Sequence, residues 1–206
     1  MTEYDDLPWS AASERNREPI GDVLTYWLPR GGRVLEIGAG TGQHAVHFHR
    51  IRPDLEWLAT DVGHVLEPLA RRLSLEAPAL APPRALTVGL DTWPPGPFDA
   101  VYTANTLHIM PWSRTPALLD GAATCLRPDG CLVVYGPFRD GGRHSAASNA
   151  AFDHSLRSRD PEMGVRDAIS LTDLAAERGL VAEADLTMPA NNRILIFCKQ
   201  GGTPHD

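Results

Sequence analysis

The chain of 206 residues has little lysine, little cysteine, few aromatic residues and no long apolar run. Each scarcity excludes something. Lys199 is the only lysine, which takes that residue type off the list of catalytic candidates. Cys125, Cys131 and Cys198 form no C-x-x-C pair, and an odd, scattered count fits a reducing cytoplasm better than a disulfide framework. No apolar stretch approaches the ~18 residues that a membrane helix needs. The opening segment MTEYDDLPWSAASERN is acidic and lacks the apolar stretch of a secretory signal. Positive charge is in deficit: 19 Lys+Arg against 26 Asp+Glu give a formal net charge of −7, without the basic field that collects nucleic acid. The composition predicts a cytoplasmic chain with neither membrane nor nucleic acid as a partner, and it leaves monomer and homodimer open.

Apolar residues make up 43% of the sequence, enough for a sizeable core, and the length suits one domain over residues 1–206. Short aliphatic runs fall at residues 33–37, 55–60, 85–90, 98–103, 131–135, 180–188 and 193–198. Helical patterns at 42–50, 63–75 and 113–126 separate most of the first five runs, and another follows at 171–178. Buried parallel strands read as continuous apolar runs, so this alternation predicts a doubly wound, Rossmann-like α/β fold. The last two runs are parted only by residues 189–192, too few for a crossover helix, and predict an antiparallel hairpin. The expected sheet is thus seven-stranded and mostly parallel, with helices on both faces. Two segments are extra. Residues 11–28 carry Ile20, Val23, Leu24, Trp27 and Leu28 at helical spacing and stop at Pro29-Arg30-Gly31-Gly32, as a helix capping the sheet would. Residues 139–167 are long, polar and arginine-bearing, and read as a helical lid over the mouth of the sheet.

The strongest local signal is Val34-Leu35-Glu36-Ile37-Gly38-Ala39-Gly40-Thr41-Gly42-Gln43. A strand runs into Gly38, Gly40 and Gly42 and then into a helix, which lets the backbone turn tightly and approach a ligand beside a helix N-terminus. A dinucleotide fingerprint wants its third glycine where this chain has Gln43. The form here is E-x-G-x-G-x-G, with Glu36 before the glycines, the pattern of S-adenosylmethionine (SAM) binding. Asp61 closes the second run, where a carboxylate can accept both ribose hydroxyls of an adenosine group or cap the next helix. Asp91 follows the third run, placed for the adenine amino group or as a plain turn residue, with Trp93 as an apolar wall.

Together with Leu126-Arg127-Pro128-Asp129-Gly130 before the fifth strand, these features resemble class I SAM-dependent methyltransferases. A narrower resemblance covers almost the whole chain. Ser13-Glu14-Arg15-Asn16-Arg17-Glu18-Pro19-Ile20, Gly42-Gln43-His44-Ala45, Asn105-Thr106-Leu107-His108-Ile109, Tyr135-Gly136-Pro137-Phe138, Ser148-Asn149, Phe152-Asp153, Gly164-Val165-Arg166-Asp167 and Pro189-Ala190-Asn191-Asn192 are similar to the methyltransferase-like protein 26 family. That resemblance implies the fold and SAM, with S-adenosylhomocysteine (SAH) as product. It implies no established substrate.

Methyl transfer is an in-line displacement that chiefly needs alignment of nucleophile and methyl carbon. Asn105 and His108 follow the fourth strand, where the sheet faces the methyl group; His108 is either a general base or a satisfied core histidine. Tyr135, ending the fifth strand, is placed to orient the acceptor, and Arg15 and Asn16 to meet the SAM carboxylate. Asn149, Asp153 and Arg166 in the insertion, with Asn191 and Asn192 in the hairpin turn, are candidate acceptor contacts. His44 and His47 share a helix face without a cysteine or carboxylate to complete a metal site, and read as two solvated histidines. The sequence therefore predicts methyl transfer from SAM to an O, N or S nucleophile of a small molecule. A protein-substrate methyltransferase and a non-catalytic SAM-binding regulator are the alternatives.

Overall fold

The computed structural model describes residues 7–201; the ends of the expected domain, residues 1–6 and 202–206, lie outside the described residues. Helix α1 (Ala11–Trp27) precedes strand β1 (Arg33–Ile37), helix α2 (Gln43–Ile51), strand β2 (Glu56–Asp61), helix α3 (Leu66–Glu76), strand β3 (Arg84–Ala85), strand β4 (Phe98–Ala104) and helix α4 (Thr115–Cys125). Strand β5 (Leu126–Gly136) leads into β6 (Phe138–Asp140), β7 (Arg143–His144), helix α5 (Ala147–Arg159), β8 (Arg166–Asp167), helix α6 (Ala168–Ala176) and the hairpin β9 (Leu180–Met188) and β10 (Asn192–Lys199). Seven strands form the main sheet in the order β3-β2-β1-β4-β5-β10-β9. The first five are parallel, while β10 runs antiparallel to both β5 and β9. The chain reverses its direction of travel across the sheet between β1 and β4, and ligands in such sheets bind outside the carboxyl ends of the strands at that point.

Alternate residues of each strand feed two cores. Val34, Trp57, Tyr102 and Val133 pack against Ile20 and Leu24 of α1, Phe48 of α2 and Leu69 of α3. Leu35, Ile37, Val101 and Leu132 pack on the other face against Leu118 and Leu119 of α4 and Leu171 of α6. Helix α1 starts at Ser10, whose side chain accepts from the Ser13 N–H, and ends where Leu28 leads into Pro29. It lies close on α2 because Gly21 has no side chain: a Cβ there would come within 2.8 Å of Ile51 Cδ1. Among the described residues no helix is long and apolar enough to cross a membrane.

Several expectations need correction. The run at 85–90 pairs with β2 only through Arg84 and Ala85, then folds into a turn in which the Leu90 and Asp91 N–H groups donate to the Thr87 carbonyl. Trp93 is no wall for adenine: it packs over Gly121 of α4, where a Cβ would overlap its ring. The segment at 139–167 holds α5 but also a three-stranded sheet, β7-β6-β8. Helix α6 starts at Ala168, three residues before the apolar pattern suggests, because the Asp167 carboxylate caps the Ile169 and Ser170 N–H groups. Cys131 and Cys198 are not scattered thiols: the register of β5 against β10 sets them opposite one another and they form a disulfide, which leaves Cys125 buried and free.

Candidate active site

The glycine loop leaves β1 with Gly38, Gly40 and Gly42 all in the left-handed region, at φ of 73°, 54° and 76°. A Cβ at Gly38 would overlap Thr106, and one at Gly42 would come within 2.7 Å of Leu69 Cδ1. Those two glycines permit close packing beneath the loop. Gly40 is different, since a Cβ there would meet nothing within 4 Å. That is the open stretch of backbone a ligand can lie against. Asp61, ending β2, holds it in place: Oδ2 accepts the Gly40 N–H at 2.6 Å and Oδ1 the Val62 N–H at 2.7 Å. Gln43, at the position of the missing glycine, ties loop to capping helix, its side chain accepting from the Ser10 N–H at 2.6 Å and donating to Glu14 at 3.1 Å. Asp91 is exposed and closes its own turn by accepting the Thr87 N–H at 2.6 Å.

The expectation that Glu36 touches a cofactor is corrected by its burial. At 2% exposure it lies under the loop, accepting from Trp57 Nε1 at 2.8 Å. Burial pushes its pKa up to about 7, against the lowering effect of Trp57 and with a further push from Asp61. Nor is His44 solvated. It is buried, its pKa falls to about 4 through loss of hydration, and both ring nitrogens are engaged. Nε2 lies 2.7 Å from Asn16 Oδ1 and Nδ1 lies 3.1 Å from the Tyr102 hydroxyl. An amide oxygen only accepts, so Nε2 carries the proton, Nδ1 accepts, and Tyr102 donates. The Asn16 side chain and the Arg15 charge work to lower the pKa of Tyr135, which burial raises. The chain Tyr102–His44–Asn16 thus has one sense of donation and ends at the Asn16 side chain, which lines the same cleft as Tyr135.

Tyr135 lines a cleft of about 520 Å³ at the carboxyl end of the sheet, between α1, α5 and the hairpin turn. Arg15, Asn16, Asn105, Asn149 and Asn192 share that lining, so five expected site residues from four parts of the chain converge with Tyr135. Ala12, Pro137, Ser148, Phe152, Pro189 and Ala190 complete it; all but Ala12 fall in segments that carry the family resemblance, but nothing in their chemistry singles them out as contacts. Asn105, at φ 57°, donates its N–H to the Tyr135 carbonyl at 2.9 Å, and its neighbour Thr106 packs on Gly38, which joins cleft to glycine loop.

Other candidates are committed elsewhere. Asn16 lines the cleft, but its amide oxygen is engaged by His44. Asn149 donates to Ser145 at 3.0 Å and to the Asn191 carbonyl at 2.9 Å, and Asn192 turns back on the Pro189 carbonyl at 3.1 Å. Asn191 is exposed outside the lining and donates to Ser148, which locks the hairpin to α5. Asp153 is no acceptor contact: its carboxylate takes the Val165 N–H at 2.7 Å and Arg157 Nε at 3.1 Å. Burial works to raise its pKa, but those donors outweigh it and hold the carboxyl below its ordinary value. Arg166 is likewise buried, donating to the Leu107, Met110 and Glu162 carbonyls and bracing the turn after β4. His108 lies behind the cleft wall, edge-on to Phe152 at 5.2 Å, with its pKa lowered by burial to about 4. It is neutral at pH 7 and a weak base. Among the described residues no group of three or more His, Cys, Asp or Glu is placed to hold a metal ion.

Several solved structures similar to this one are methyltransferases. An O-methyltransferase family protein from Burkholderia thailandensis superposes with a TM-score of 0.77 at 17% identity, covering 93% of this chain and 58% of that one. A putative O-methyltransferase from Nostoc punctiforme gives 0.78 at 18% identity, over 91% of this chain and 56% of that one. Human N-acetylserotonin methyltransferase, solved in complex with SAM, gives 0.77 at 16% identity, over 92% and 53%. The chain spans little more than half the length of these structures, and at such identities the likeness establishes the class I methyltransferase fold. In sequence, the family described as "Protein of unknown function (DUF938)" matches residues 7–199. The chain belongs to that family.

Proposed function

We propose that the protein transfers a methyl group from SAM to an oxygen, nitrogen or sulfur atom of a small molecule. The observation that carries this reading is the open backbone at Gly40, held by Asp61 at the carboxyl end of β2, with an acceptor-sized cleft adjoining it past Asn105. SAM, consumed in each turnover, supplies an electrophilic methyl on a sulfonium. Gly38, Gly40, Gly42 and Asp61 would hold its adenosine end and Asp91 would stand at the adenine side. Asn105 and Tyr135 would border the methyl group. Phe152 and Pro137 would exclude water from the reacting atoms. The resemblance to the methyltransferase-like protein 26 family supports the same reading, as do neighbours whose names specify small acceptors, such as N-acetylserotonin.

The test is calorimetric titration with SAM, SAH and NAD, followed by incubation with methyl-labelled SAM and a cell extract. SAM and SAH should bind and NAD should not, and label should pass to the small-molecule fraction. Label in protein would replace the acceptor class with a polypeptide. Binding without transfer to any fraction would favour a SAM-binding regulator. NAD binding in place of SAM would overturn the reading.

A further inference from the structure

The lining of the cleft restricts the chemistry of the acceptor. Among the described residues, its only ionisable side chains are Arg15 and Tyr135. Neither supplies a base at neutral pH: a guanidinium stays protonated, and burial keeps the phenol protonated. Among the described residues no carboxylate and no imidazole line the cleft, since Asp153 is spent on Val165 and Arg157 and His108 stands behind Phe152. Of the polar groups that remain uncommitted, Arg15 and the Tyr135 hydroxyl are donors that can meet a negative charge, while the Asn105 side chain and the Asn149 and Asn192 amide oxygens are neutral. Arg15 is exposed and makes no hydrogen bond or ion pair with another described residue apart from its proximity to Tyr135. Tyr135 lines the cleft together with Arg15, and its protonated hydroxyl can donate into it. Around them lie Ala12, Pro137, Phe152 and Ala190, an apolar surround. A site whose one charged group is a cation, with a phenol donor beside it, neutral amides around them and no base, fits a nucleophile that arrives already ionised.

We propose that the methyl acceptor is a small carboxylic acid with an apolar body, that Arg15 and the Tyr135 hydroxyl receive its carboxylate, and that the product is its methyl ester. This rests on the reading of SAM as methyl donor. A carboxylate oxygen lone pair forms the new O–CH3 bond while the C–S bond breaks and leaves its electron pair on sulfur. The negative acceptor and the positive sulfonium become a neutral ester and a neutral thioether. No proton moves, so the missing base is not needed. Because opposite charges vanish in the step, a poorly hydrated surround assists it.

The test uses the full chain loaded with SAH and titrates benzoate, phenylacetate and hexanoate against their primary amides, which match them in shape but carry no charge. At least one acid should bind about tenfold or more tighter than its amide, the scale of a charge-assisted pair of hydrogen bonds. Arg15→Gln should erase that preference while SAH affinity holds, and Tyr135→Phe should weaken the acid without touching the amide. In parallel, label moved from methyl-labelled SAM into small molecules should be released as volatile methanol by mild alkali. Three results would overturn the proposal: no acid preferred over its amide, alkali-stable label, or loss of SAH affinity in Arg15→Gln, which would give that residue to the SAM carboxylate. Failure of SAH to bind the unaltered protein is a different outcome and removes the methyltransferase reading itself.

Discussion

At the scale of single residues, the clearest division is between carboxylates that face a ligand and those that hold the fold. Asp61, Asp91 and Asp153 are three carboxylates that the sequence offers as site candidates, the first two after apolar runs and the third in the 139–167 insertion. Asp153 has Val165 and Arg157 on its oxygens and is structural. Asp61 holds the one open glycine of the loop and ends the strand beside the switch point. Asp61→Ala should therefore weaken SAM by about 1.5–3 kcal/mol, the range for hydrogen bonds involving a charged group. Asp61→Asn, which keeps an acceptor for the Gly40 N–H, should lose less. Titration calorimetry on the two variants checks this, and equal, undiminished affinity would remove Asp61 from the ribose. The glycines and Asp61 were readable because their roles are local, fixed by a strand end and a tight turn. The burial of Glu36 and His44 was not, since it depends on Trp57, Tyr102 and α1 arriving from elsewhere in the chain.

At the scale of elements, the apolar runs located the strands well where both faces are covered. The run at 33–37 coincides with β1, and 98–103 falls one residue short of β4. The run at 85–90 failed for a physical reason. Leu86 and Val88 are buried, which the pattern registered, but the chain lies at the sheet edge and Gly89, at φ 79°, turns it away after two paired residues. The disulfide escaped for another reason: pairing Cys131 with Cys198 requires the register of β5 against β10, and spacing alone does not give a register. The bond joins positions 67 residues apart, so it constrains the unfolded chain strongly. Replacing both cysteines with serine should cost about 2–4 kcal/mol of stability, and the unaltered protein in reductant should unfold at the same denaturant concentration as the double variant. Equal midpoints for the unaltered protein with and without reductant would mean that the pair is open in solution.

Across the whole molecule, the site is assembled from α1, β4, β5, α5 and the hairpin turn, and the same assembly buries ionisable groups that set how stability responds to pH. His44 and His108 fall from 6.5 to about 4, so between those values the unfolded chain takes up protons that the folded chain refuses. Each therefore removes stability as pH falls from about 6.5 toward 4. Glu36 rises from 4.5 to about 7, so the folded chain keeps a proton that the unfolded chain gives up, and stability is lost as pH climbs through that range. One group contributes roughly 1.4 kcal/mol per pH unit within its window. From about pH 4.5 to 6.5 the two histidines, joined by His47, whose pKa burial also lowers, outweigh the single glutamate, and stability should rise by at least roughly 1.4 kcal/mol per unit. Glu36→Gln removes the opposing contribution while keeping an oxygen for the Trp57 Nε1–H. Its slope over the same interval should be steeper by roughly 1.4 kcal/mol per unit, and it should exceed the unaltered protein in stability at pH 7. Denaturant midpoints for both proteins across that interval decide the matter. Parallel slopes would show that Glu36 ionises in the folded protein as it does in the unfolded one, and that the acid beneath the glycine loop is hydrated rather than sealed in.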